Sequence, residues 1–142
     1  MILQYFVLNG GEMALTNERY FISQSNVSLD EKYDEAIEFA SSGNLETGFT
    51  AGLVFEELFV NVMNYAYTEK GGGPIMASIE KTTDGIYMTL IDFGVPFNPV
   101  ERANWIATSE QIGGRGIDLV KSYSKVFEYQ RIYDANVVNV LV

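Results

Sequence analysis

A long apolar segment, residues 46–67, constrains the fold of this chain more than any other feature. Drawn as a helix, it carries apolar side chains on almost every side, so it must be buried, and a sheet is the expected cover. Two apolar segments, residues 75–81 and 86–92, follow it, and the Asp84-Gly85 pair between them is a strong hairpin signal. The sequence therefore predicts a buried helix lying on an antiparallel hairpin.

The remaining segments extend this arrangement to a domain. Ser28 and Glu31 form a capping box, which predicts the start of an amphipathic helix that ends at about residue 42. The other predicted elements are strands at 17–24, 125–133 and 137–142, a helical turn at 100–105 and a helix at 114–123. Because hairpins replace alternating strand–helix crossovers, we expect an α+β fold: a two-layer α/β sandwich with a mixed or antiparallel sheet and helices on one face.

Composition excludes several classes of function. The 142 residues suffice for one domain, and a net charge of -10 argues against direct binding to nucleic acid. The chain has no Cys and no His, which excludes disulfides, thiolate or imidazole metal ligands, Ser/His/Asp triads and phosphorylation of a histidine within the chain. Acid–base chemistry is left to carboxylates, lysines or tyrosines.

Residues 1–16 are interpreted as an N-terminal extension, and residues 17–142 as the domain. The codons of Gly10, Gly11 and Glu12 can spell a purine-rich ribosome-binding sequence, so Met13 is a candidate native start. The apolar stretch 2–8 is too short to cross a bilayer and lacks the features of a signal peptide. We expect a soluble, cytoplasmic protein that does not bind membranes.

A polar stripe runs along the long predicted helix. Glu57, Asn61, Asn64 and Thr68 follow one another at intervals of three and four residues, whereas Glu56 is out of phase with them. A polar line on a buried helix is costly unless a partner satisfies it. We interpret the stripe as part of a binding site; the alternative is an exposed polar edge of the helix.

A carboxylate ends the second strand of the predicted hairpin. Asp92 is in phase with the apolar row of that strand that faces the core, and a semi-buried carboxylate needs a donor, which a ligand amine can supply. Gly94 would let the backbone approach a flat ring closely. The alternative is an ordinary turn, since Asp before Gly is common there.

A glycine cluster, residues 113–116, precedes the helix predicted near residue 114. Glycines ahead of a helix expose unpaired backbone N–H groups beside the positive end of the helix dipole, where phosphates bind. Arg115 could add a charge-assisted contact. The alternative is a flexible loop with Arg115 in solvent.

The order of these three motifs resembles the ATP-binding sequence boxes of the Bergerat-fold ATPases, the superfamily of gyrase and histidine-kinase ATP domains. The motifs are Glu-x-x-x-Asn at Glu57, Asp-x-Gly-x-x-Phe at Asp92 and Gly-Gly-x-Gly-Ile before the helix. The resemblance covers roughly residues 17–142. The resemblance to the superfamily implies the Bergerat ATP-binding fold. Within the superfamily, the small size of the chain and the brief lid between Phe97 and Gly113 resemble those of stand-alone anti-sigma factor serine kinases.

The resemblance also implies roles for individual residues. Glu57 would be the general base, Asn61 would hold Mg²⁺, and Asp92 would accept a hydrogen bond from the adenine amine. The residues expected to contact ATP are Asn61, Asn64, Asp92, Gly94, Phe97, Gly114, Arg115 and Gly116.

The chain departs from the pattern at three places. Tyr65 replaces a usual His, Arg115 replaces a usual Leu, and the last hairpin lacks the expected Gly-Thr. The first two departures could change catalysis and spare ATP binding, and the third concerns the far wall of the base pocket.

The function expected from this resemblance is an ATP- and Mg²⁺-dependent serine kinase. It would act as an anti-sigma factor, sequestering a sigma factor and phosphorylating a serine of an anti-anti-sigma partner, and it would be a homodimer. Two alternatives remain open: an ATP-binding regulatory module without phosphotransfer, and the ATP domain of a split sensor kinase whose histidine lies on another protein.

Overall fold

The fold is an α+β arrangement of an antiparallel sheet with helices, as predicted. The computed structural model describes residues 3–9, 12–24, 34–35, 38–39, 45–67, 73–102 and 116–142. The described strands are β1 (Leu3–Asn9), β2 (Glu12–Gln24), β3 (Pro74–Thr82), β4 (Gly85–Asp92), β5 (Val126–Ile132) and β6 (Ala135–Leu141). The described helices are α1 (Leu45–Asn61), which continues as a π-helix (Val62–Ala66), and α2 (Gly116–Tyr123).

These strands form one sheet in the order β1-β2-β3-β4-β6-β5, and each neighbouring pair is antiparallel. The predicted hairpin is confirmed, since Thr82 pairs with Gly85. Strand β6 lies between β4 and β5, so the start of β6 faces the end of β4. This register places Asn136 directly opposite Asp92.

The core lies between one face of the sheet and α1. Burial alternates along β4 and β6, so one face of each strand is covered while the other is half-buried. Helix α1 packs on β4, and α2 packs on α1. Fully buried side chains of this kind each contribute about 1.5–3 kcal/mol. They include Val54, Phe55, Phe59, Ile75, Ile79, Met88, Leu90, Ile117, Val120 and Val140.

Several predicted boundaries differ from the structure. Strand β2 begins at Glu12 rather than residue 17, so the sheet includes residues assigned to the N-terminal extension; the start at Met13 stays a prediction. The long helix is α-helical only to Asn61, because its last turn is a π-helix. The helix predicted at 28–42 is described only at 34–35 and 38–39, which are helical.

The predicted helical turn is confirmed where it is described, since residues 99–102 are helical; residues 103–105 lie outside the described part. Within the described ranges, no helix is both long and apolar enough to cross a bilayer.

Candidate functional site

Asp92 lies at the end of β4 with its carboxylate on the buried side of the sheet. The residue is 3% exposed, and its Oδ1 accepts hydrogen bonds from Asn136 Nδ2 (2.8 Å) and the Gly94 N–H (2.9 Å). Burial raises the pKa of this carboxyl, although the two hydrogen bonds and the nearby Arg131 oppose that effect. Each carboxylate oxygen has about two acceptor positions. Oδ1 is therefore filled, and Oδ2 is left for a ligand donor.

Asn136 is a site residue that sequence reasoning missed. It is 1% exposed, and its Nδ2 donates to the Val95 carbonyl (2.9 Å) as well as to Asp92. Its Oδ1 accepts from the Tyr129 hydroxyl (2.7 Å) and from the Arg131 guanidinium (3.0 Å). The available signal was a polar residue in phase with the core positions of the last strand. Its partner lies 44 residues away, so the pairing depends on strand register.

The loop after β4 is held against the π-helix. The Val95 N–H donates to the Ala66 carbonyl (2.9 Å), and the Phe93 N–H donates to the Tyr67 hydroxyl (2.8 Å). Gly94 lies so close to Ala66 that a Cβ at position 94 would overlap the Ala66 carbonyl. Gly94 was expected to contact a bound base. The backbone of the π-helix is its neighbour in the structure, and this close approach alone requires a glycine.

Glu57 and Asn61 lie one turn apart on α1, as the polar stripe predicts. Both are half-buried, and Asn61 Nδ2 donates to the Glu57 backbone carbonyl (2.9 Å). This bond fixes the amide and leaves Asn61 Oδ1 as the atom that can face a ligand. Burial, followed by the neighbouring Glu56, raises the pKa of the Glu57 carboxyl. A raised pKa makes the ionised carboxylate a stronger base than an ordinary glutamate.

The N-terminal end of α2 meets Glu57. A Cβ at Gly116 would overlap the Glu57 carboxylate, so the first residue of α2 lies directly against the candidate base. The dipole and the N–H groups of the first turn at this end favour an anion. Gly114 and Arg115 lie outside the described residues, and their contacts with phosphates stay predictions.

A narrow cavity separates Asp92 from α1. Its volume is about 10 Å³, roughly the space for one water. It is lined by Leu58, Asn61, Val62, Leu90, Asp92, Phe97, Pro99 and Val138. The cavity thus brings together Asn61, Asp92 and Phe97, three of the residues predicted to bind the nucleotide. A purine is far larger than a water, so a nucleotide does not fit this cavity as it stands.

Phe97 is held by Tyr65 of the π-helix. The two rings are stacked, with centroids 4.9 Å apart and planes at 12°, and the Arg102 guanidinium lies 5.5 Å from the centroid of the Tyr65 ring. A stacked aromatic pair contributes about 0.5–1.5 kcal/mol beyond its buried area. This is small beside the affinity of most nucleotide sites, so a bound nucleotide can displace the stack.

The donor set of the site fits Mg²⁺ held mainly by phosphates. No group of three or more Asp or Glu side chains that could bind a metal occurs among the described residues. Mg²⁺ commonly uses one or two protein ligands together with substrate phosphates and waters. Asn61 Oδ1 fits that pattern. Asn64 is exposed on the π-helix, beyond the cavity, because a π-helix closes i→i+5 bonds and changes the phase of the stripe.

Comparisons with known proteins identify the family of this chain. A sequence model described as "Histidine kinase-like ATPase domain" matches residues 32–141. A search of curated proteins gives no match. Among solved structures, the chain is similar to the histidine kinase domain of a blue-light activated histidine kinase from Erythrobacter litoralis EL346, with a TM-score of 0.47 and 15% identity.

That structural alignment covers 82% of this chain and 59% of the compared chain, so the protein spans about three-fifths of the kinase domain's length. The family match, in contrast, covers most of the present chain. The chain therefore belongs to the histidine kinase-like ATPase domain family.

Proposed function

We propose that this chain is an ATP- and Mg²⁺-dependent protein kinase that transfers phosphate to a serine of a partner protein. The observation that carries the proposal is the contact between the Glu57 carboxylate and the first residue of α2. A carboxylate with a raised pKa then lies beside a helix end that favours phosphate. Asp92, across the cavity, supplies a separate acceptor for a base.

Binding of the nucleotide would begin at Asp92. Its Oδ2 would accept a hydrogen bond from the exocyclic amine of adenine, because Oδ1 is filled by Asn136 and Gly94. Phe97 lines the same cavity and would cover the ring after leaving Tyr65. The apolar lining from β4 and α1 suits a flat aromatic ligand.

Phosphate transfer would take place between α1 and α2. Asn61 Oδ1 would hold Mg²⁺, which supplies charge neutralisation to the phosphates when bound. Glu57 would take the proton of the serine hydroxyl as its oxygen attacks the γ-phosphorus. The bond between that phosphorus and the bridging oxygen breaks, ADP leaves, and the phosphoserine carries the transferred group.

The proposed partners are a sigma factor, which the chain would sequester, and an anti-anti-sigma protein, which it would phosphorylate. The resemblance to stand-alone anti-sigma kinases supports these partners, the cytoplasmic location and a homodimer.

A second candidate is an ATP-binding regulatory module that performs no phosphotransfer. One observation favours it: Tyr65 stacks on Phe97 at a position where the resembling kinases carry His. In this case the nucleotide would only change the affinity for a protein partner.

Labelled ATP with Mg²⁺ and candidate partner domains tests the proposal. Replacing Glu57 by Gln should lower transfer about 10²- to 10⁴-fold, because general-base catalysis is lost. Glu57→Gln should keep ATP affinity within about threefold, since the carboxylate acts on the acceptor hydroxyl. Glu46→Gln is the control, because Glu46 is an exposed carboxylate in the first turn of the same helix.

Three results would separate the readings. Transfer at the normal rate by Glu57→Gln would show that another group is the base. Tight ATP binding without transfer to any serine would favour the regulatory module. Label that accumulates on a partner histidine, and never on serine, would identify the domain as part of a split sensor kinase.

A further inference from the structure

We infer that Asn136 sets the base specificity of this site, by leaving Asp92 only one oxygen for a ligand and so favouring adenine over guanine. The inference rests on the proposed ATP binding and goes beyond it, because it assigns discrimination between purines to a residue outside the three ATP-binding motifs.

The restriction follows from the hydrogen bonds of Asp92. Oδ1 receives the amide of Asn136 at 2.8 Å and the N–H of Gly94 at 2.9 Å. Two donors fill the acceptor positions of one carboxylate oxygen. A ligand can therefore use only Oδ2. Without Asn136, one position on Oδ1 would become available.

The orientation of Asn136 is itself fixed. Its Oδ1 accepts from the Arg131 guanidinium (3.0 Å) and from the Phe97 N–H (3.4 Å), two groups that can only donate, and also from the Tyr129 hydroxyl. Its Nδ2 donates to the Val95 carbonyl and to Asp92. A flipped amide would place its NH₂ against two donors and its oxygen against two acceptors. Asn136 therefore always presents a donor to Asp92.

The two purines differ in what they require from a carboxylate. Adenine offers one exocyclic amine beside an acceptor nitrogen, so one carboxylate oxygen is enough. Guanine offers two adjacent donors, N1–H and the 2-amino group, which pair best with both oxygens of a carboxylate. When only Oδ2 is open, N1–H and the 2-amino group have to share one oxygen, and neither N–H can point straight at it, so guanine gains less than it would from two oxygens.

Calorimetry on the unmodified protein with Mg²⁺ gives the first test, using ATP, GTP and ITP. The base of ITP, hypoxanthine, is guanine without the 2-amino group, so comparing GTP with ITP measures what that group gains. We expect ATP to bind tightest and GTP to bind no tighter than ITP. GTP binding about tenfold tighter than ITP would overturn the inference, because it requires a second acceptor. Failure of all three nucleotides to bind would overturn the proposed function as well.

The variant Asn136→Ala gives the second test. Loss of the amide should raise the affinity for GTP relative to ITP about tenfold or more, because a hydrogen bond to a charged group contributes that much. Asn139→Ala is the matched control: Asn139 lies on the same strand but on the opposite face, where its Oδ1 accepts from the Thr89 hydroxyl. Its GTP-to-ITP ratio should equal that of the unmodified protein.

An unchanged ratio of GTP to ITP affinity in folded Asn136→Ala would overturn the inference. Arg131 or another group would then be blocking Oδ1 of Asp92. A general loss of stability cannot produce the expected result, because it weakens GTP and ITP equally. If Asn136→Ala does not fold, GTP binding about tenfold tighter than ITP in the unmodified protein would still overturn the inference.

Discussion

The two ends of the candidate site are built differently. At the base end, defined as Asp92, Asn136 and Gly94, the two polar side chains are buried. The Asn136 side chain, on β6, bonds to residues of β4, β5 and the loop after β4. At the phosphate end, defined as Glu57, Asn61 and Gly116, the residues are half-buried. Among the described residues, the Glu57 carboxylate has no hydrogen-bond partner, whereas Asp92 has two.

This difference indicates where the fold itself supplies order. The base end is completed by strand register, so its geometry exists before any ligand binds. Among the described residues, the phosphate end has a carboxylate and a helix N-terminus in contact but few fixed bonds, which suits a region completed by phosphates, metal and a partner hydroxyl. Changes at the base end should therefore affect binding and folding, and changes at the phosphate end should affect transfer.

The largest effect at the base end is expected for Asp92→Asn. The amide can keep its oxygen toward Asn136 and Gly94, but it then presents an NH₂ where the adenine amine needs an acceptor. ATP affinity should fall about 10- to 100-fold, the value of a lost hydrogen bond to a charged group. Asp84→Asn, in the exposed β3–β4 turn, is the control.

Calorimetry measures this affinity, and thermal unfolding shows that the variant is folded. ATP binding by folded Asp92→Asn as tight as in the control would mean that the base is not read by this carboxylate. Asp92 would then not belong to the part of the site that binds the base.

Two glycine substitutions compare the rigidity of the two ends. A Cβ at Gly94 would meet the backbone of Ala66, which cannot move aside, so Gly94→Ala should cost about 1–3 kcal/mol of stability. A Cβ at Gly116 would meet the end of the Glu57 side chain, which can rotate. Gly116→Ala should therefore cost less stability but lower the transfer rate by displacing the carboxylate.

Urea unfolding gives the free energies, and transfer of labelled phosphate gives the rates. Equal destabilisation by both substitutions would show that the phosphate end is as rigid as the base end. Normal transfer by Gly116→Ala would show that the position of Glu57 against α2 is not needed.

Local sequence patterns were sufficient for part of this site. Helical periodicity placed Glu57 and Asn61 on one side of α1, and the alternation of β4 placed Asp92 on the core side. Asn136 could not be found in this way, because its role depends on which strand lies beside β4. The π-helix was also missed, since hydrophobic periodicity does not show a local change from i→i+4 to i→i+5 bonds.

Gly94 illustrates a different limit. Its type and position were correctly singled out, but the sequence does not say what approaches a glycine. The predicted neighbour was a base, whereas the structure places the carbonyl of Ala66 there. The packing of the π-helix against the loop after β4 is a tertiary contact that neither local segment encodes alone.

The smallest expected effect is a difference in pH dependence between the two ends. The pKa values of Asp92 and Glu57 are both raised, chiefly by burial. ATP affinity should fall as the pH drops through the raised pKa of Asp92, which lies above the ordinary value of about 3.9. The transfer rate at saturating ATP should instead fall through the raised pKa of Glu57, above about 4.3. Affinity and rate that fall together would indicate one controlling group.

The stability contribution of Asp92 should change in the opposite direction to ATP affinity. Because its folded-state pKa lies above the unfolded value, the folded protein holds the proton more tightly. This contribution is fully present below about pH 3.9 and is lost as the pH rises through the raised folded pKa. Urea unfolding of the unmodified protein and Asp92→Asn at several pH values measures it. If the unmodified protein gains stability over the variant as the pH rises, the bonds from Asn136, Gly94 and Arg131 outweigh burial, and the base end favours the ionised carboxylate.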